Sequence, residues 1–326
     1  MVETERVRTA TDAELDRLGG MFERTHFHPA LASACRFARE ALAGEVFVAA
    51  RDGELLGASG CASFGASGWI GAVAVVPEAR RAGLGQALTE AAVTWLRDSG
   101  AATIHLHATE MGRPIYQRLG FVAEGACVSL GGSRRRPRRS LGVRPARPGD
   151  LAAALALDRE ATGEDRTGLL TALWPRPTTG EGRSTLWPQS APGGDRVGPT
   201  PTAPSRPGSG PGEHRAGPLT TLGPGSALVV EADGQVAGFH LAGPWRPGGA
   251  TVAADPASGL ALLAATGDRP DGALPALSVP KDNPDAIRAM ETLGHAERSR
   301  TIRMRLGPPI PWRPATLFST FNLFWG

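Results

Sequence analysis

Apolar and polar positions along the first 130 residues follow two periods, one typical of strands and one typical of helices. The run EVFVAARDGELLGASGCASF, with Asp52-Gly53 at its centre, predicts a β-hairpin, and WIGAVAVV predicts a strand that ends at Pro77. From Gly83 the apolar residues recur at helical spacing as far as Gly100. The strand ATIHLH, the short helix RPIYQRLG and the strand FVAEGACVSL complete an α/β unit over residues 1–130.

The second half of the chain repeats the order of predicted elements with which the first half begins. After a Gly/Arg-rich linker over residues 131–142, VRPARPGDLAAALALD gives a short strand, a capping residue and an apolar helix. A second hairpin is predicted around Asp233-Gly234, and DNPDAIRAMETLGH and RTIRMRL predict a helix and a strand. We therefore predict a second, related domain over residues 143–326. Residues from about 174 to 225 are rich in Pro, Gly, Ser and Thr without periodicity, which predicts a disordered insertion.

Composition narrows the class of protein. An apolar content of 41% supports packed globular structure. Lys281 is the sole lysine, so the net charge of +3 is carried mainly by arginine and argues only weakly for nucleic acid. Three scattered cysteines and a charged N-terminus favour a cytoplasmic protein without a signal peptide or a membrane span, and no metal site is predicted. The arginine run RRRPRR is best interpreted as a solvated linker.

The stretch VAVVPEARRAGLGQAL is the strongest candidate for chemistry. A predicted strand turns through Arg80, Arg81 and Gly83 directly into a helix, where free amides and the helix dipole favour an anion. The dinucleotide fingerprint is excluded because its third glycine position holds Leu88. A Walker loop is excluded because no lysine is near. The loop therefore suits the pyrophosphate of a ligand that neither of these two motifs binds.

The order of V-x-P-x-x-R-x-x-G-x-G, a helix, a strand and Y-x-x-x-G-F resembles the GNAT superfamily of N-acetyltransferases. The whole chain is similar to the two-domain bacterial type, whose second domain is degenerate. The resemblance implies a tandem GNAT fold of the α/β class and acetyl-CoA as cosubstrate, with a small-molecule or peptide amine as acceptor. It also implies that CoA is held by the end of the strand and by the loop that follows it. The implied CoA-binding residues are Val73, Ala74, Val75, Arg80, Arg81, Ala82, Gly83, Leu84, Gly85 and Gln86.

The resemblance also gives a role to Tyr116, the only tyrosine in the chain. In the superfamily a tyrosine four residues before Gly-Phe protonates the departing thiolate, and Tyr116 holds that position. The general base is left open. His105 and His107 share a strand face and either could be the base, with His107 the named candidate, and the carboxylates of Glu78 and Glu110 are weaker alternatives.

The second domain lacks the superfamily's CoA loop. After GATVAADP the chain continues as ASGLALLAA, without arginine or paired glycines, and the position of the phenol is Met290. We expect this domain to shape the acceptor pocket or to stabilise a homodimer. The alternatives to an enzyme are a non-catalytic acyl-CoA sensor and a nucleic-acid-associated regulator that uses the arginine run.

Overall fold

A computed structural model describes residues 7–132, 142–175, 226–243, 249–266, 277–322 and 324. The arginine run at 134–139 lies outside these residues, and so does most of the predicted insertion. Among the described residues, no helix has the length and apolar composition needed to cross a membrane.

The first half contains the predicted mixture of strands and helices. Its elements are β1 (Arg8–Thr9), α1 (Asp12–Arg24), α2 (Leu31–Ala41), β2 (Ala43–Arg51), β3 (Glu54–Phe64), β4 (Ser67–Val75), α3 (Leu84–Asp98), β5 (Thr103–Ala108), α4 (Arg113–Arg118) and β6 (Val122–Gly132). Thr11 begins α1 by accepting a hydrogen bond from the Glu14 amide, while the Glu14 carboxylate accepts from the Thr11 amide. This capping box fixes the first turn of the helix.

The second half has the same order of helices and strands as the first, followed by one further strand. Its elements are β7 (Val143–Pro145), α5 (Leu151–Thr162), α6 (Thr167–Leu173), β8 (Ala227–Ala232), β9 (Gln235–Ala242), β10 (Gly249–Ala253), α7 (Pro256–Ala265), β11 (Leu277–Pro280), α8 (Pro284–Thr292), β12 (His295–Leu306) and β13 (Leu317–Ser319). Both predicted hairpin turns are present, and both residues of each Asp-Gly pair have positive φ.

The strands form two sheets. The larger is of mixed orientation, because β4 and β5 are parallel, and in the smaller every pair of neighbouring strands is antiparallel. The larger sheet has the order β1-β2-β3-β4-β5-β12-β6-β11, and the smaller has the order β13-β10-β9-β8-β7. In the larger sheet β12 lies between β5 and β6, with Ile302 opposite Ala108 on one side and Ala126 on the other. On the outer side β6 pairs with β11. The halves therefore exchange strands, because a strand from each is held between two strands of the other.

Two aromatic residues, Trp174 and Phe324, show which ends of the described segments belong to the core. Trp174 is buried, donates its indole N–H to the Arg147 carbonyl at 3.1 Å and packs edge-on against Phe239. The predicted insertion therefore cannot begin at 174, because this residue belongs to the core, and residues 176–225 lie outside the described part of the chain. Phe324 packs against the backbone of Gly60 and Gly71, where a Cβ atom would overlap its ring. The C-terminal segment thus closes the core of the first half.

Candidate active site

The loop between β4 and α3 has the backbone geometry of an anion site. Gly83 is the N-cap of α3 with φ of +83°, and Arg81 has φ of +67°. Among the described residues no side chain accepts a hydrogen bond from the first turn of α3, so the amides there are available to a ligand. Gly83 is required by its positive φ, whereas a Cβ at Gly85 would make only ordinary contact with Ile115.

Strand β4 separates from β5 beside this loop. The parallel pairing runs from Ser67 opposite Thr103 to Ile70 opposite Leu106, although β4 continues to Val75. Ala72 has φ of +53°, and the register against β3 shifts at this point, which marks a β-bulge. In the described part of the chain, the end of β4 therefore has no strand partner on its β5 side, and an extended ligand could pair with it.

A cavity of about 850 Å³ joins the loop, the separated strands and α4. Nine of the ten predicted CoA-binding residues line it, and Ala82 is the exception. His107 and Tyr116 line it as well. The lining from the first half includes Val73, Ala74, Val75, Arg80, Arg81, Gly83, Leu84, Gly85 and Gln86. The structure therefore brings the predicted residues together around one space.

Tyr116 on α4 lines this cavity, and its ring also packs against the core of the first half. The side chain is 8% exposed, and its ring meets Phe121 edge-on with centroids 6.1 Å apart. A Cβ atom at Gly112 would lie 3.0 Å from the Tyr116 ring. Burial raises the pKa of the phenol to about 12, so the hydroxyl is protonated at neutral pH.

His107 lies deeper, where β5 meets β12. Its ring stacks on Trp69 at 5.4 Å between centroids, and its Nδ1 is 3.4 Å from the Thr301 hydroxyl. Burial, together with the nearby Arg303 and His105, lowers the pKa of His107 to about 3. The imidazole is therefore neutral at physiological pH. His105 is on the same face of β5, as its spacing predicts, and stacks on Trp69 at 5.0 Å.

A buried polar network behind the histidines was not predicted from the sequence. Glu164 accepts hydrogen bonds from Ser67 Oγ at 2.6 Å and from Trp69 Nε1 at 3.0 Å. His105 lies between two carboxylates, with Nδ1 3.7 Å from Glu164 and Nε2 3.5 Å from Glu124. Because Glu164 is 95 residues from Trp69 in sequence, no local pattern links them.

Glu124 also holds the exchanged strand β12 in place. Its carboxylate binds the side chains of Arg303 at 3.1 Å and Arg305 at 2.8 Å. The Arg303 guanidinium is stacked between the rings of Trp69 and Trp312, 4.7 and 4.4 Å from their centroids. These contacts fix the position of β12, and therefore that of Thr301 beside the cavity.

The second half supplies the far wall of the cavity. The sequence predicted that this half could shape the pocket, but it did not indicate which residues would do so. The residues that it contributes are Ser278, Thr301, Thr320, Phe321, Asn322 and Phe324. The aromatic-rich run TLFSTFNLFWG was the one local signal. Its first part forms β13, an edge strand of the smaller sheet, and Phe324 near its end packs against Gly60 and Gly71 of the first half.

The counterpart of the anion loop in the second half is built differently. The side chain of Asp255 caps α7 and accepts hydrogen bonds from the Ser258 amide at 2.9 Å and the Ser258 hydroxyl at 2.7 Å. A carboxylate thus takes the place that a ligand anion would need. Strand β13 pairs with β10, and Thr320 donates its amide to the Ser278 carbonyl of β11 at 2.8 Å. The C-terminal segment therefore bridges β10 and β11, whereas β4 and β5 separate.

Comparisons with known proteins agree with this architecture. Residues 43–123 match the family model of the GNAT acetyltransferase domain. The match supports acetyl-CoA-dependent acyl transfer in general. No curated protein matches the chain.

Two solved structures share the fold over nearly the whole chain. A protein from Pyrococcus horikoshii described as a "putative acetyltransferase" has a TM-score of 0.73 and 19% identity, covering 100% of this chain and 97% of its own. A GCN5-related N-acetyltransferase from Sphaerobacter thermophilus has a TM-score of 0.54 and 15% identity, covering 99% and 98%. At these identities the likeness shows the fold.

Proposed function

We propose that the chain is an acetyl-CoA-dependent N-acetyltransferase that acylates an amine by direct attack on the thioester, with its one active site in the first half. The observation that carries this proposal is the single cavity that joins the uncapped amides of α3, the unpaired end of β4 and the protonated phenol of Tyr116.

Each part of this cavity suits one part of the cosubstrate. The amides that follow Gly83, with Arg80 and Arg81 beside them, would hold the diphosphate. Main-chain groups of Val73 to Val75 would pair with the pantetheine arm. Arg80 already donates from Nε to the Val75 carbonyl at 3.1 Å, and this bond joins the loop to the end of the strand.

The chain's own chemistry is then a proton donation from Tyr116. Acetyl-CoA supplies the thioester carbonyl. As the C–N bond forms and the C–S bond breaks, the Tyr116 hydroxyl gives its proton to the departing sulfur. The amine loses one proton on acylation, and that proton restores the phenol, so no further reactant is needed.

We propose that His107 acts as a hydrogen-bonding group and not as the general base. A base with a pKa of about 3 takes little of the proton from an ammonium group at neutral pH. His107 can act as the base if the bound substrates raise that pKa. The pH profile of kcat decides this, since it reports the enzyme–substrate complex: a base whose pKa stays near 3 gives no limb between pH 5 and 7, whereas one raised into that range gives a limb there.

The second half is proposed to bind no acyl-CoA. Asp255 occupies the N-terminus of α7, and β13 fills the side of β10 that corresponds to the open side of β4. An acyl-CoA would have to displace both the Asp255 side chain and β13. The proposed role of the second half is to complete the pocket of the first half.

A non-catalytic acyl-CoA sensor is the main alternative, and one assay separates it from the enzyme. Acetyl-CoA is incubated with the full chain and a panel of primary amines, and release of free thiol is followed. We expect amine-dependent thiol release. Binding of CoA in calorimetry without thiol release on any amine would favour the sensor.

A further inference from the structure

The far end of the cavity combines polar and apolar side chains from both halves. Thr320 lines it and is 5% exposed, and its buried Oγ1 has no hydrogen-bond partner among the described residues. Ser129 of β6 and Ser278 of β11 line the same end, with their hydroxyl oxygens 3.1 Å apart. A buried hydroxyl without a partner loses free energy unless a ligand or water satisfies it.

The segment that carries Thr320 is held rigidly on both sides. Before it, the Ser319 hydroxyl donates to the Gly249 carbonyl and lies within 2.8 Å of the Thr251 hydroxyl, both in the second sheet. At Thr320 itself the amide donates to the Ser278 carbonyl at 2.8 Å. After it, Phe324 packs against Gly71 on β4. Consequently Thr320 has a fixed position between the two sheets.

The neighbouring groups are uncharged hydrogen-bonding groups beside an aromatic wall. The Thr301 hydroxyl and the neutral His107 ring lie 3.4 Å apart, and the Nε2 atom of His107 is buried without a partner in the described part of the chain. Phe321 and Phe324 line the cavity next to them. Such a surface matches a ligand with an apolar body and a hydroxyl, since both can be satisfied at once.

We infer that this end of the cavity is the acceptor subsite, and that Thr320, contributed by the second half, selects a small amine bearing an uncharged hydroxyl group. The inference rests on the proposed acetyl transfer and adds the acceptor class to it. Thr320 acts here as a specificity-determining residue. Its hydroxyl exchanges a hydrogen bond with that of the acceptor while the phenylalanines cover the apolar part.

The test uses the full chain, acetyl-CoA and two pairs of amines that differ by one hydroxyl. The pairs are benzylamine with 4-hydroxybenzylamine, and cyclohexylamine with trans-4-aminocyclohexanol. We expect the hydroxylated member of at least one pair to have the higher kcat/KM. Thr320→Val keeps the volume and removes the hydroxyl, and it should raise KM for that amine about three- to tenfold with kcat nearly unchanged. The preference within the pair should then disappear.

Ser319→Ala is the matched control, because its hydroxyl is on the same segment but bonds into the second sheet. It should leave both KM values within about twofold of wild type. An unchanged preference in Thr320→Val, equal shifts in Ser319→Ala, or turnover restricted to the amines without a hydroxyl would overturn the inference. Binding of acetyl-CoA without turnover of any of the four amines would also overturn it. Failure to bind acetyl-CoA at all would instead overturn the proposed function.

Discussion

Replacing Tyr116 by Phe removes a single oxygen from the centre of the proposed active site. The ring keeps its edge-on contact with Phe121, and the hydroxyl makes no hydrogen bond with another described residue. The free energy of unfolding should therefore change by less than about 0.5 kcal/mol. The loss of the donor should appear in catalysis alone.

The expected loss of activity follows from the state of the phenol. With a pKa of about 12, only about one hydroxyl in 10⁴ is ionised at pH 8, so nearly every molecule carries the proton. General acid catalysis of this kind contributes about 10²-fold or more to kcat, equivalent to about 2.7 kcal/mol of transition-state stabilisation. Tyr116→Phe should lower kcat by that factor and leave the Kd of acetyl-CoA nearly unchanged.

The assay is thiol release at saturating acetyl-CoA on an amine that the wild type acetylates. Thermal unfolding and acetyl-CoA calorimetry on the same preparation serve as controls. Wild-type kcat should show no loss attributable to ionisation of Tyr116 below about pH 10. Full activity in Tyr116→Phe would refute the role of the phenol. Equal losses in stability and activity would show that the tyrosine is structural.

Two further predictions concern the buried polar groups. His240 is buried and its pKa is lowered to about 4 by desolvation, so the unfolded chain binds a proton below pH 6.5 that the folded chain does not. The free energy of unfolding should therefore fall as pH drops from about 6.5 to 4, by about 1.4 kcal/mol per pH unit for this residue. Urea unfolding across this range should show a shallower slope in His240→Gln, and an equal slope would contradict the assignment. Glu164→Gln removes the charge that accepts from Ser67 and Trp69 and should destabilise the fold by about 1–3 kcal/mol with acetyl-CoA affinity unchanged. An unaltered urea midpoint would show that the network contributes nothing.

Much of the fold follows from local patterns in the sequence. The Asp-Gly turns and the helix that begins after Gly83 are determined by neighbouring residues, and each is where the sequence predicts it. The pairing of strands is not local. Apolar periodicity identifies RTIRMRL as a strand, but it cannot show that β12 lies between β5 and β6 of the other half.

The same limit applies to the candidate site. The CoA loop and Tyr116 lie within one continuous stretch, and the resemblance to the GNAT superfamily covers that stretch. Thr320 and Ser278 reach the cavity only through the exchanged strands and the C-terminal segment. Glu164 could not be assigned a partner because its contacts lie about 95 residues away. Trp174 was misassigned since its local composition resembles that of the insertion that follows it.

Titration of acetyl-CoA into Gly83→Glu tests whether the loop before α3 holds the diphosphate of the cosubstrate. The substitution places a carboxylate beside the amides that would hold the diphosphate, at a residue with φ of +83° and open space around its Cβ position. Gly53→Glu is the matched control, because Gly53 has φ of +78° and similar open space but lies in a hairpin turn away from the cavity. We expect one acetyl-CoA bound per wild-type chain and per Gly53→Glu chain, and at least 100-fold weaker binding in Gly83→Glu, equivalent to about 2.7 kcal/mol. Wild-type affinity in Gly83→Glu, or two sites in the wild type, would contradict it.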